Sequence, residues 1–430
     1  MTDIFKEFLA ESKGSSDSIV SYRPVKEYRS VITGKQAMED LEELRFLMDN
    51  RYSGKDYWQW KGIDFSVCLA NVEKYLASQE KVYISDFCRK IHQEFDVGIV
   101  DNHLSFASPF TGRLHFSKQF AMYFADLLLE KRGEKYIVIE SKEKGVVSGD
   151  QVESKDKLFP TLAPEGKERY LVGERAFQEL SEITISVNGE AVSVPVHRCL
   201  AGTKTEKNDV CMRHKRIRIQ VRGKAEEVDI FRSNCCDFVG ELTEDTDLEE
   251  MGRKCRNSRV VILNYLSNEG GYNRITRDFI KGLNDYVHCE EYSMKLVSPV
   301  TEGKDCKREW VTKSEALPYQ REKGTYEGLV IMLVNSDTAS SGETAVLYAK
   351  SLKNFILMGE NTMGCNTFGN VADYQLPHSQ IVCRIPNVIN LCGNPSDCME
   401  GHGFTPDYWV DSRDVEGKVL NWLFPQAELR

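Results

Sequence analysis

The chain has 430 residues and a formal charge of −10. That is enough material for two or three compact units, with no overall basic footprint for nucleic acid or an anionic membrane. Its 41% hydrophobic and 28% charged residues match an ordinary globular protein and exclude wholesale disorder.

The amino-terminal MTDIFKEFLAESKG is charged throughout, which argues against a signal peptide, and FAMYFADLLL is too short and interrupted to span a bilayer. Among the thirteen cysteines no C-x-x-C pair occurs, so neither a zinc spacing nor a disulfide framework is indicated. Reduced thiols in a cytoplasmic protein are the expectation. Residues 36–98 read as helices. AMEDLEELRFLMDNRY and SVCLANVEKYLASQ carry apolar residues at helical spacing, and SDFCRKIHQEF continues the pattern with Ser85 as a candidate N-cap.

From about 134 the texture changes to short alternating segments. KYIVIES, ITISVNGEAVSVPV and IRIQV predict strands, and Asn188-Gly189 predicts a hairpin turn in the second. The charged KEKGVVSGDQVESKDK between them reads as a solvated loop. HKRIRIQVRGK alternates Arg with Ile; one half-buried strand with a solvated face explains it, and a nucleic-acid patch is the alternative. Beyond residue 240 strand and helix alternate: RVVILNYL, NRITRDFIKGLNDYV, GLVIMLV, ETAVLYAKSL and NFILMG. Such alternation predicts an α/β layer of buried strands. The polar stretch 299–327 is long for a loop and is expected to form a lid or hairpin.

The segment NSDTASSGETAV (335–346) joins the last apolar strand to an amphipathic run. Two readings stay open. Ser340-x-x-Glu343 matches a capping box, in which the serine caps the third helical N–H and the glutamate reaches back. Alternatively, Ser340 is a nucleophile raised on a strand-to-helix turn, where a helix N-terminus favours developing negative charge. Such a serine needs a base, an orienting acid and a second oxyanion donor. VGIVDNHLSFASP offers His103 in a turn, SNEGGYN ends a strand in two glycines, and MEGHGFTPDYWV places Glu400 before a Gly-rich turn. His402 is a fallback base. Cys365 reads as a small apolar filler or a reactive thiol, and Cys392 and Cys398 fit no standard zinc signature.

In this order the segments resemble the C-terminal processing (tail-specific) serine peptidases, in particular the tricorn-core-like branch, over residues 40 to 411. The resemblance implies a crotonase/ClpP-like spiral α/β core with a helical N-terminal region and an inserted β-rich, loosely PDZ-like module. The corresponding division is 1–98 helical, 99–133 first part of the core, 134–239 β-rich module and 240–430 catalytic core. The family nucleophile stands three residues before the turn glutamate, which selects Ser340 over Ser341. The N–H groups of Gly271 and Ser341 would form the oxyanion hole. The lysine base of the processing branch would follow the G-E-x-T-x-G segment directly, and Cys365 holds that place, which excludes a lysine dyad there. The tricorn-like branch instead implies His103 as base and Glu400 as its support. Asn102 stands where that branch carries a bridging hydroxyl. His103 is expected near its ordinary pKa of about 6.5. The function implied is peptide-bond hydrolysis of a peptide or unfolded-protein substrate, with no metal or cofactor, no nucleic acid and no membrane partner. A non-catalytic peptide or small-ligand-binding protein on the same scaffold is the alternative.

Overall fold

The structure is a computed structural model, which describes residues 29–116, 118–199, 212–221, 224–233, 247–289, 291–297, 309–314, 320–392 and 400–425. The chain divides into two compact units. One holds the described residues within 1–118, 291–316 and 367–393, the other those within 119–290, 317–366 and 394–430.

In the first unit, helices Gly34–Asn50, Gly54–Trp60, Phe65–Leu76 and Ile84–Phe95 occupy the predicted helical region. Gly34–Asn50 starts on a true capping box: Thr33 Oγ1 accepts from Gln36 N–H, and Gln36 Oε1 accepts from Thr33 N–H. Ala37, Leu41, Leu44, Leu47 and Met48 form its buried stripe. Ser85 is not a cap, because the helix begins at Ile84 directly after the strand Lys81–Tyr83. A mixed-length sheet runs Glu309–Ser314, Glu291–Val297, Val382–Cys392, Asp101–Ser108, Gly112–Phe116, with Phe368–Gln375 also paired to Val382–Cys392. Helices and sheet meet in one aromatic-rich core containing Phe65, Phe95, Phe106, Phe116 and Phe368. Of the 299–327 stretch, Glu309–Ser314 forms an antiparallel pair with Glu291–Val297; residues 299–308 and 315–319 lie outside the described residues.

The second unit contains an all-antiparallel sheet of strands from Ala121 to Arg198. The predicted hairpin pairs Glu182–Val187 with Glu190–Pro195. Asn188 and Gly189 take the positive φ values, 51° and 84°, that such a turn requires. The stretch read as a solvated loop is partly core, since Val146 and Val152 are buried with Val138, Val172 and Ile185.

The same unit carries a second sheet, whose strands are β1 (Met212–Val221), β2 (Lys224–Ser233), β3 (Val260–Asn264), β4 (Leu329–Val334), β5 (Phe355–Gly359) and β6 (Tyr408–Trp409), in that spatial order. β1 and β2 are antiparallel, and every later neighbour is parallel. Its helices are α1 (Leu248–Lys254), α2 (Arg274–Asn284), α3 (Ser341–Ala349) and α4 (Val415–Leu423). β3 is buried at every position, as a parallel strand covered on both faces must be. One face packs Val228, Ile230, Ile262 and Ile331 against Val415 and Val419 of α4. The other face carries Phe231, stacked on Phe279 of α2 at 4.4 Å. In the basic strand β1, Ile217 and Ile219 join the first of these cores. Arg216 and Arg218 project to the opposite side and are paired with Asp229 and Glu227. No helix of the described residues is long and apolar enough to cross a membrane.

Candidate active site

The turn between β4 and α3 is held from below by the end of β3. Thr338 Oγ1 donates to Tyr265 O at 3.0 Å and accepts from Asn335 N–H. Ala339 N–H donates to Asn268 O at 2.9 Å, and Ser267 N–H to Asn335 Oδ1 at 2.8 Å. These bonds leave the chain no freedom to relax at Ser340, whose φ is 53° and ψ −122°. That is glycine territory, the first central position of a type II′ turn, and a serine held there costs about 1–3 kcal/mol.

The capping-box reading fails at this turn. Ser340 sits at the N-cap of α3, but its side chain makes no capping bond. The fully buried Glu343 carboxylate instead pins the segment after β5. Its Oε1 accepts from Thr362 Oγ1 at 2.6 Å and Gly364 N–H at 2.9 Å, and its Oε2 from Cys365 N–H at 2.6 Å. Burial raises the carboxyl pKa, opposed by bonds from Thr362 and the backbone of Cys365, Gly364 and Ser340. Glu343→Gln would set an amide N–H against one of those N–H donors. A destabilisation of about 1–3 kcal/mol is expected in urea titrations, and more for Glu343→Ala; an unchanged midpoint in both variants would contradict this role.

The Gly-Gly pair ends the connection from β3 beside this serine. Gly270 and Gly271 have φ values of 107° and 136°. A Cβ on Gly270 would lie 2.7 Å from Ser340 Cβ and 3.2 Å from its Oγ. Only glycine permits that approach. Gly270 N–H donates to Asn268 Oδ1 at 3.0 Å, while the Gly271 carbonyl accepts from Ser341 Oγ at 2.5 Å.

The terminal signature is stitched to the loop after β5. Gly401 N–H donates to Gly364 O at 2.8 Å, and Thr362 N–H to Phe404 O at 3.1 Å. Cys365 is buried, its carbonyl accepts from Ser340 N–H at 3.1 Å, and its sulfur lies within 4.8 Å of a Glu400 carboxylate oxygen. Glu400 is thereby brought next to the serine turn through two short links. His402, the fallback base, packs edge-on to Phe120 at 4.1 Å and beside Phe177, and burial with Arg175 nearby lowers its pKa to about 4.

His103 and Asn102 belong to the first unit, at the start of the strand Asp101–Ser108. The buried Asp101 carboxylate accepts from the backbone N–H of His103 and Leu104, both at 2.9 Å, and from Tyr52 OH at 2.9 Å. Trp58 Nε1–H donates to Tyr52 OH at 3.0 Å. The histidine backbone is therefore fixed through a chain of buried polar groups. Burial, then Arg384, lowers the His103 pKa to about 4. This corrects the expectation of an ordinary value near 6.5, which ignored the cost of charging a desolvated imidazole.

Residues 242–410 match the sequence model of peptidase family S41. The matched family is one of serine-type peptidases. The S41 match contains Gly271, Ser340 and Glu400 and leaves His103 outside. No curated protein matches the chain in sequence. In fold the chain is similar to mature CPAF complexed with lactacystin, at 12% identity and a TM-score of 0.50, over 91% of this chain and 98% of that one. It is also similar to the photosystem II D1 C-terminal processing protease, at 12% identity and a TM-score of 0.43, over 90% and 96% of the two chains.

Within the S41 segment, sequence reasoning missed Gly270 as the residue against the serine, and Asn268 and Thr338 as supports of the turn. The Gly-Gly pair was the available signal for the first. Nothing local marks the other two.

Proposed function

We propose that this chain, whose residues 242–410 match family S41, hydrolyses peptide bonds with Ser340 as nucleophile. The observation that carries the reading is the strained, uncapped serine at a strand-to-helix turn against which Gly270 packs without a side chain. In this reading His103 takes the Ser340 proton as the oxygen attacks the scissile carbonyl carbon. The Gly271 and Ser341 N–H groups hold the oxyanion; Gly270 N–H is already engaged by Asn268, which leaves Gly271 as the donor the pair can offer. Glu400 orients the imidazole and stabilises its protonated form, with Asn102 as the bridge between them. His103 then protonates the leaving amine, and water attacks the acyl-enzyme to release the second product. The substrate class is a peptide or unfolded protein, handled in the cytoplasm. The finer architecture belongs to the same proposal: a crotonase/ClpP-like spiral core, a PDZ-like module within 134–239, and the helical region 1–98.

A lowered imidazole pKa has a definite signature. The base must be neutral to act, so activity is present above its pKa and lost below it. With the pKa near 4, kcat/KM of the protein is expected to hold its neutral-pH value down to about pH 5. An acid limb centred near 6.5 would remove His103 from the role. His103→Ala should slow fluorophosphonate labelling of Ser340 by about 100-fold or more, and labelling at the wild-type rate would exclude it as base.

The same lowered basicity, with Cys365 in the lysine place, favours one second reading: a peptide-binding protein that does not turn over. Saturable peptide binding with no fluorophosphonate labelling at any pH would select it.

A further inference from the structure

Away from the serine turn, three chemically different donors converge on one point of the second unit. His214 and Arg216 lie two residues apart on β1 and so share a face, and Asp229 of β2 is the direct partner of Arg216. Cys255, at the C-terminal end of α1, covers that face. His214 Nε2 stands 2.6 Å from Asp229 Oδ1 and 3.9 Å from Cys255 Sγ, and the three donor atoms lie within 4.8 Å of one another.

We propose that His214, Asp229 and Cys255 form a binding site for a zinc-class divalent cation that clamps the β1–β2 hairpin to α1. The inference is independent of the peptidase reading. A nitrogen, a sulfur and a carboxylate oxygen are the donor set of a borderline-soft ion. A Cys-His-Asp relay would use opposite ring nitrogens for thiol and carboxylate. Here the same Nε2 faces both, which is the geometry of ligands around a common centre. Zinc bond lengths at tetrahedral angles require N···S and N···O separations of roughly 3.6 and 3.3 Å. The imidazole, whose side chain is 34% exposed, needs to shift by less than about 1 Å to meet both.

The surroundings suit such an ion. Asp229 is oriented by Arg216, whose Nε and Nη2 donate to Oδ1 and Oδ2 at 2.9 Å each, and by Ser258 Oγ–H on Oδ2. Ligating carboxylates are held in this way by outer partners. Carboxylate and thiolate together carry two negative charges against Arg216 and the ion. Cys255 and Asp229 are buried, while the exposed edge of His214 leaves solvent access and a fourth position for water. Binding releases the Cys255 proton to solvent and forms the metal–sulfur bond with no change of oxidation state.

Cobalt(II) titration of the full chain tests this. One equivalent is expected to produce a thiolate-to-metal charge-transfer band together with tetrahedral visible bands. Both should vanish in Cys255→Ser and in His214→Ala. Zinc at about a hundredfold excess over its Kd should raise the wild-type Tm by roughly 5 °C and leave both variants unmoved. His214→Ala, at a partly exposed site, keeps the test decisive should Cys255→Ser disturb the core. A band or Tm shift of equal size in either variant, or none in the wild type, overturns the site.

Discussion

Ser340→Gly is expected to abolish peptide hydrolysis and at the same time raise thermal stability. The two effects come from one residue and have opposite signs. Removing the hydroxyl removes the attacking oxygen of the proposed mechanism, a loss of about 10⁴-fold or more in kcat. Removing Cβ relieves a φ of 53° with ψ −122° that only glycine adopts without strain. Relief of about 1–3 kcal/mol, less about 0.5–1 for glycine's extra freedom when unfolded, leaves a net gain near 1 kcal/mol. Ser340→Ala is the control, equally inactive with no gain in stability. Calorimetry with a peptide-cleavage assay reads both quantities. Turnover above about a hundredth of the wild-type rate in either variant would remove Ser340 as nucleophile, and a falling Tm in the glycine variant would show that the turn is not strained.

Gly270→Ala should damage both stability and catalysis. Its φ of 107° disfavours any Cβ, and the added methyl would sit 2.7 Å from Ser340 Cβ and 3.1 Å from Ala339 O. Backbone strain and overpacking together are expected to cost about 2–4 kcal/mol. Because the colliding partner is the proposed nucleophile, the displacement should lower kcat by about 100-fold. Gly62→Ala supplies the comparison. Gly62 has a φ of 91°, and a methyl added there would meet nothing within 4 Å. That change should cost only the backbone strain, about 1 kcal/mol, and leave turnover intact. Equal kinetic effects of the two substitutions would mean that the close packing at Gly270 has no bearing on catalysis.

Several features were legible from local pattern alone. The apolar stripe of Gly34–Asn50, the Asn188-Gly189 hairpin and the continuous apolar runs of β3 and β4 all formed as their periodicity required. The ordered resemblance also pointed to the family whose model residues 242–410 match. Other features had no local trace. Thr33 and Ser340 both stand at a helix start three residues before a Gln or Glu, yet only Thr33 caps its helix. What separates them is a partner outside the motif: Glu343 has the 362–365 segment to bind, and Gln36 has only its own cap.

The chain's own residues determined the order of strands, turns and helices, the capped starts and the glycine pair, because each depends on neighbours within a turn or two of chain. Tertiary structure decided what Glu343 holds, which glycine touches Ser340, how far His103 is desolvated, and the meeting of His214, Asp229 and Cys255. Those outcomes depend on burial and on contacts between distant positions, which the pattern of near neighbours does not encode.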